Sequence, residues 1–171
     1  RVDGKYKGKA VTKREPVTDQ LWERHLKGEY GLGIIPIRDD STCSWGAIDI
    51  DVYADLDHAA LAAKIAKAEI PLVPCRSKSG GLHLFLFLTE GVPAQQVQAA
   101  LRDWAALLGL AGCEIFPKQT QILTDKGDVG NWMVMPYYGD TYGGKLKEQV
   151  GKCFKYSNSY TFKFFKPHFF I

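Results

Sequence analysis

The order of short apolar runs and helical patterns along the chain constrains its fold most strongly. Helical spacing of apolar residues marks two segments, 58–68 and 94–108, and a shorter helix is predicted near 19–26. Runs typical of strands lie at 31–37, 45–52, 72–75, 82–88, 114–116 and 132–135. After the first helix, the order is therefore β-β-α-β-β-α-β-β. This order favours an α+β fold, with the helices packed on one face of a mainly antiparallel sheet.

Turn and capping residues set the boundaries of these elements. Thr18 or Asp19 can cap the first helix, and Gly28 ends it. Asp57 opens the second helix, and Pro93 begins the third. A polar turn separates the first two strand-like runs, which predicts a hairpin between them.

Length and composition are those of an ordinary globular protein with one domain, or one domain and a small appendage. The chain has 171 residues, of which 46% are hydrophobic and 24% are charged. No run approaches the roughly 18 apolar residues of a membrane span, and no secretory signal pattern opens the chain. Because it begins with Arg1 rather than Met, we expect a fragment or a processed product.

The spacing of the cysteines argues against a structural zinc site. Four of them lie far apart in the sequence: Cys43, Cys75, Cys113 and Cys153. None forms a C-x-x-C pair with another, so no structural zinc site is expected. Reduced thiols in a cytoplasmic protein are the simpler interpretation.

Basic residues are concentrated at the two ends of the chain, although the net charge is only +3. Lys and Arg dominate residues 1–14 and the segment from 145 onward. Such ends can follow nucleic-acid phosphates around an acidic centre, or they can simply be solvated. The tail is also crowded with aromatic residues, and its alternation at 160–165 predicts a strand. That strand could stack bases or, as we expect, pack on the body of the protein.

The stretch 46–53, Gly-Ala-Ile-Asp-Ile-Asp-Val-Tyr, resembles a buried strand that carries two carboxylates. Side chains alternate between the faces of a strand, so Asp49 and Asp51 share one face, while Ile48, Ile50 and Val52 share the other. Two carboxylates this close repel each other unless a positive charge lies between them. They suit a hard divalent cation. The alternative is a strand end at which one Asp caps the following helix.

A second motif, residues 76–83, lies between two strand-like runs. Gly80 and Gly81 allow a tight turn and a close approach to a ligand. Donors surround this turn: Arg76, Ser77, Lys78 and Ser79. Backbone amides, hydroxyls and cations in one loop suit a triphosphate. His83 is the sole polar side chain in the run that follows, and its alternative role is that of a satisfied core histidine.

Two further motifs offer polar groups near strand ends. Glu114 opens a short strand and is followed by Lys118 and Gln119 in a turn. Asn131 follows a glycine just before the last strand-like run. The alternatives are a solvated Glu and an Asn that caps its own turn.

The chain resembles the archaeo-eukaryotic primase superfamily, and within it the primase-polymerases of phages, mobile elements and prokaryotic conflict systems. Four motifs carry the resemblance: Asp49-Ile-Asp51, Ser79-Gly-Gly-Leu-His83, Glu114-Ile-Phe-Pro-Lys-Gln119 and Gly130-Asn131. It covers roughly residues 17–137. The resemblance implies a catalytic domain over 17–137, with a basic segment at 1–16 before it and a basic aromatic segment at 138–171 after it. It also implies an RRM-like sheet joined to a small N-terminal α/β unit.

The resemblance further implies template-directed synthesis from nucleoside triphosphates with two Mg²⁺ or Mn²⁺ ions. Asp49, Asp51 and Glu114 match the metal-binding carboxylates, with Asp128 as the alternative to Glu114. The expected nucleotide-binding residues are Arg76, Lys78, Ser79, His83, Lys118, Gln119 and Asn131. Expected partners are a DNA template, nucleoside triphosphates and a helicase of the same system. The expected setting is the cytoplasm of a prokaryotic cell, with the protein encoded by the cell, a phage or a mobile element. Rival functions are a non-catalytic single-strand-binding module and a metal-dependent nuclease.

Overall fold

A computed structural model describes residues 11–13, 15–52, 56–77 and 81–138. Within these ranges the chain forms, in order, α1 (Asp19–Leu26), β1 (Gly33–Ile34), β2 (Thr42–Ile50), α2 (His58–Lys67), β3 (Val73–Arg76), β4 (Leu82–Pro93), α3 (Ala94–Leu108), β5 (Glu114–Phe116), a 3-10 turn (Thr124–Lys126) and β6 (Met133–Val134). No helix in these ranges is long and apolar enough to cross a membrane. The strand predicted at 160–165 lies outside the described residues.

The central sheet has four antiparallel strands in the order β3-β4-β2-β5. Its connectivity, β2-α2-β3-β4-α3-β5, is the βαββαβ arrangement of ferredoxin-like folds. The same kind of four-stranded sheet forms the RRM. The predicted α+β fold with a mainly antiparallel sheet is therefore confirmed.

One face of this sheet packs against α2 and α3. Ile48, Ile50 and Leu84 are fully buried there, in one core with Ile65 of α2 and Leu101 of α3. The close approach of α3 depends on Gly46, because a Cβ at that position would lie 2.8 Å from the Leu101 side chain. The apolar half of the alternating β2 pattern thus forms the helix side of the core. Val52 is not part of it, since β2 ends at Ile50 and Val52 is exposed.

The opposite face of the sheet is partly covered by the small β1–β6 pair and by α1. Ala47 and Phe85 are fully buried on this face, in a second core that includes Met133 and Met135. Trp22 of α1 packs against the same core. The predicted N-terminal α/β unit therefore corresponds to α1 and β1, completed by β6 from the far end of the described chain.

A buried histidine joins the parts of this covering unit. His25 of α1 is fully buried, and its Nδ1 accepts a hydrogen bond of 3.0 Å from the Leu32 amide. A ring nitrogen that accepts carries no proton, so the proton lies on Nε2. Nε2 donates to the Pro136 carbonyl at 2.9 Å. The ring thus ties α1 to the segments that adjoin β1 and β6.

The predicted hairpin between residues 31–37 and 45–52 is wrong. β1 pairs with β6, with Gly33 opposite Val134. A single bridge, Ile37 to Cys43, joins the two segments that were expected to pair. β2 instead pairs with β4 along its length. The register shifts between Cys43 and Trp45, and beyond this shift the first residues of β2 pair with the end of β4, up to Pro93.

Candidate active site

The pairing register brings four chemically active side chains into one row across the sheet. Cys75 lies opposite His83, His83 lies opposite Asp49, and Asp49 lies opposite Glu114. Directly paired residues project from the same face, with Cβ atoms about 5 Å apart. This row, Cys75-His83-Asp49-Glu114, is called the carboxylate row below. It lies on the face opposite α2 and α3, beside the part that the β1–β6 unit covers.

Asp49 and His83 form the centre of the row. His83 Nε2 lies 3.3 Å from Asp49 Oδ1, and the two side chains are 15% and 18% exposed. Asp49 Oδ1 makes no hydrogen bond with any residue that the structure describes. The His83 ring also meets Phe85 edge to face, at a centroid distance of 5.9 Å. Asp49 Oδ1 is therefore buried beside His83 without a hydrogen-bond donor, so its capacity to bind a ligand is not used within the described residues.

Asp51 follows the end of β2 and is exposed. The segment before β4 lies close to the same strand end. A Cβ on Gly81 would be only 2.3 Å from the Ile50 carbonyl oxygen. The Ser77 amide donates to the Gly81 carbonyl at 2.9 Å and closes the intervening loop. The close approach at Gly81 is therefore to the backbone of β2, whereas the approach to a ligand expected from the sequence stays a prediction.

The loop residues expected to grip a triphosphate are only partly described. Lys78 and Ser79 lie outside the described residues. Arg76 is exposed at the end of β3, opposite Leu82. Leu82 belongs to the core on the helix side. The Arg76 side chain therefore projects from the sheet face opposite to that of His83, and Arg76 is not part of the carboxylate row.

Glu114 is paired with a lysine from its own motif. Lys118 Nζ lies 2.8 Å from Glu114 Oε2. The ammonium also lies 5.0 Å from the centroid of the Phe116 ring. Both side chains are substantially exposed, so the ion pair contributes little to stability. It compensates the charge of Glu114 at the end of the row.

A buried glutamine in α3 holds the turn that carries Lys118. Gln98 Nε2 donates to the Pro117 and Lys118 carbonyl oxygens, both at 3.0 Å. The next residue, Gln119, accepts a hydrogen bond of 3.3 Å from the Asn131 amide. The motifs at 114–119 and 130–131 are thus linked. Sequence reasoning missed Gln98, although its position four residues after Ala94 and three before Leu101 marks it as part of the buried stripe.

A second cysteine lies close to the carboxylates. Cys113 immediately precedes Glu114 and is half-buried. Burial raises the pKa of the Cys113 thiol, and the negative charges of Asp49 and Asp51 raise it further. This thiol therefore lies within electrostatic reach of both aspartates, which the sequence alone did not suggest.

The carboxylate oxygens of the row are the kind of ligand that a hard divalent cation prefers. Asp49 Oδ1 lacks a hydrogen-bond donor, and Glu114 lies directly opposite. Among the described residues, however, no three His, Cys, Asp or Glu side chains form a group that is ready to hold a metal ion. In this arrangement Lys118 is the cation that neutralises Glu114.

Fold and site together define an RRM-like α+β domain with a carboxylate–histidine row on the sheet face opposite its helices. The family model described as the TOTE conflict system archaeo-eukaryotic primase domain matches residues 3–147. The chain therefore belongs to the archaeo-eukaryotic primases of the TOTE conflict-system type, a family of primase-like nucleotidyltransferases. The resemblance seen in the sequence is confirmed. A search of curated proteins gave no match.

Proposed function

We propose that this chain is a DNA-directed primase-polymerase that transfers nucleotides from nucleoside triphosphates to a growing strand on a DNA template. The observation that carries the proposal is the carboxylate row, in which Asp49 lies between His83 and Glu114 on an RRM-like sheet. A non-catalytic binding module has no need of carboxylates that repel phosphate. The proposal thus explains why a strand keeps acidic residues at this place.

Asp49, Asp51 and Glu114 are the residues that would hold Mg²⁺ or Mn²⁺. Such ions, when bound, lower the pKa of the attacking hydroxyl and neutralise charge on the triphosphate and the leaving pyrophosphate. Asp49 Oδ1 accepts no hydrogen bond from the described residues, which supports this role. Glu114 joins the set when Lys118, which now pairs with it, turns to another anion.

The remaining residues would bind and orient the nucleotide, as in-line phosphoryl transfer depends mainly on positioning and on neutralised charge. His83 Nε2 lies beside Asp49 Oδ1, so a phosphate oxygen placed at the row can accept its proton in a hydrogen bond. Arg76, Lys78 and Ser79 would hold the outer phosphates from the loop between β3 and β4. Lys118, Gln119 and Asn131 would contact nucleotide or template.

An extension assay tests this function. The protein is incubated with labelled nucleotides and Mg²⁺ or Mn²⁺, on a primed and on an unprimed DNA template, beside the double variant Asp49→Ala/Asp51→Ala. Metal-dependent products that the variant does not form are expected. Product on the unprimed template identifies primase activity, and product on the primed template alone identifies extension.

The rival functions give different results in the same assay. A nuclease shortens the primer or the template and incorporates no labelled nucleotide. A binding module retains DNA and yields no product in any lane. Either result would overturn the proposal. A helicase of the same conflict system is the protein partner that we propose, since primer synthesis needs an exposed template strand.

A further inference from the structure

A cleft of about 510 Å³ lies between α3 and the edge strand β5. The helix side is lined by Gln98 and Arg102, and the strand side is lined by Cys113, Glu114 and Lys118. Of these residues, Arg102 has no part in the site described above. A cleft of this size accommodates part of a polymer or a small ligand.

The cleft and the carboxylate row share one residue, Glu114. Glu114 lines the cleft and is also the direct partner of Asp49 across β2 and β5. β5 pairs with β2 on one side, and no strand in the described ranges pairs with its other side. A ligand in the cleft therefore lies against the end of the row that Glu114 forms.

The charges around the cleft favour an anion. Arg102 lies four residues after Gln98, on the same face of α3, and is exposed. Its guanidinium forms no ion pair with any residue that the structure describes. Lys118 stands on the opposite wall, held by Glu114 and by the turn that Gln98 fixes. Glu114 is the one acidic side chain in this lining, so the two cations outnumber it.

We propose that this cleft binds the phosphate backbone of a single-stranded nucleic acid beside the carboxylate row, with Arg102 and Lys118 as the phosphate-contacting residues. The proposal rests on the proposed function and names where the strand lies. Guanidinium and ammonium groups are the usual phosphate partners of such strands.

The position of the cleft favours a strand over the triphosphate. The loop expected to grip the triphosphate adjoins Cys75 and His83, at the other end of the row. Three strand spacings separate β3 from β5, which is about 14 Å. A triphosphate at the His83 end thus leaves the Glu114 end for the polymer.

The first test measures binding of a labelled oligothymidylate without metal or triphosphate, over a range of salt concentrations. Arg102→Gln is compared with Lys67→Gln, which removes the same charge from an exposed position on α2. Each phosphate contact to a single strand contributes about 0.7 to the salt slope. We expect Arg102→Gln to bind more weakly and to lose about 0.7 of that slope. Lys67→Gln should keep the slope of the unmodified protein, and Arg102→Lys should retain most of it.

The second test uses cysteines as reporters of the two ends of the row. Cys75 lies beside His83, and Cys113 lines the cleft. Alkylation is followed residue by residue by mass spectrometry. The oligonucleotide should slow alkylation of Cys113, and a nucleoside triphosphate should slow that of Cys75. Burial raises the pKa of Cys43 to about 12, so this thiol serves as an unreactive reference.

Three results would overturn the inference. These are an unmodified protein that binds no oligonucleotide, an Arg102→Gln variant with an unchanged salt slope, and protection of Cys113 by triphosphate in place of the oligonucleotide. Failure of the proposed function looks different. In that case, the cleft still binds the strand and protects Cys113, but no primer is extended.

Discussion

Asp49 of β2 and His83 of β4 are direct partners in the sheet, with His83 Nε2 3.3 Å from Asp49 Oδ1. Asp49 also lies opposite Glu114 of β5. One central strand thus aligns a histidine and a second carboxylate on either side of a single aspartate. This alignment results from strand pairing, because the three residues lie far apart in the sequence.

Replacing Asp49 by Asn should abolish nucleotide incorporation and leave the fold intact. The amide keeps the side-chain volume but removes the charge, and loss of such an electrostatic contribution typically costs at least about a hundredfold in rate. The free energy of unfolding should change by less than about 1 kcal/mol. Primer extension and urea denaturation measure the two effects. Normal extension by Asp49→Asn would contradict the proposed mechanism.

Replacing Gln98 by Leu should destabilise the protein and weaken incorporation together. The variant leaves the Pro117 and Lys118 carbonyls without their donor, which costs roughly 2 kcal/mol. The turn that holds Lys118 then loses its anchor, so KM for the template should rise more than kcat falls. Gln96→Leu is the matched control, since Gln96 is exposed on the same helix. Equal effects of the two variants would show that the buried amide does not position the turn.

Replacing His25 by Ala should cost about 3 kcal/mol of stability. The substitution opens a cavity and leaves the Leu32 amide and the Pro136 carbonyl without their hydrogen-bond partner. His58→Ala is the control. The His58 Nε2 has no hydrogen-bond partner among the described residues, so its loss leaves no group unpaired. Denaturation followed by circular dichroism compares the two variants. A His25→Ala variant as stable as His58→Ala would rule out the proposed link between α1, β1 and β6.

Replacing Gly81 by Ala should force β4 and the end of β2 apart. The new Cβ would meet the Ile50 carbonyl oxygen, which is backbone and has little freedom to move. Overpacking of this kind costs about 1–3 kcal/mol. At Gly112 a Cβ meets no atom within 4 Å, so Gly112→Ala should be neutral or slightly stabilising. Thermal unfolding of the two variants tests the contrast, and comparable melting temperatures would contradict it.

Replacing Asp51 by Asn should make Cys113 more reactive at mildly alkaline pH. Burial and the charges of Asp49 and Asp51 raise the pKa of this thiol. Removal of one negative charge lowers the pKa, so a larger fraction is the reactive thiolate at a given pH. The pH dependence of alkylation should therefore move to lower pH. Asp125→Asn, in the 3-10 turn, should leave it unchanged. A profile that does not move in Asp51→Asn would argue against the proximity of Asp51 and Cys113.

The local elements were predictable because they depend on neighbouring residues. Thr18 and Asp57 cap α1 and α2, and the apolar spacing of 94–108 matches α3 to the residue. The alternation of β2 correctly separated Asp49 from Ile48 and Ile50. Each of these results follows from a pattern that repeats within a few residues.

Long-range pairing was harder to predict. Adjacent strand-like runs usually form a hairpin, yet β1 pairs with β6 from the far end of the described chain. The pairing of β1 with β6 is stabilised by the second core, in which Met133 and Met135 pack with Phe85 and Ala47. No local pattern reports such a contact.

The sequence by itself determined the helices and the faces of β2, and it supplied the residues that we propose to bind a metal and phosphates, because side-chain chemistry and periodicity are local properties. The tertiary structure alone decided that Glu114 lies opposite Asp49, that Arg76 starts from the other face, and that Gln98 holds the turn of Lys118. Those relationships depend on strand register and on the packing of α3 against the sheet. Register and packing arise only when segments far apart in the chain come together.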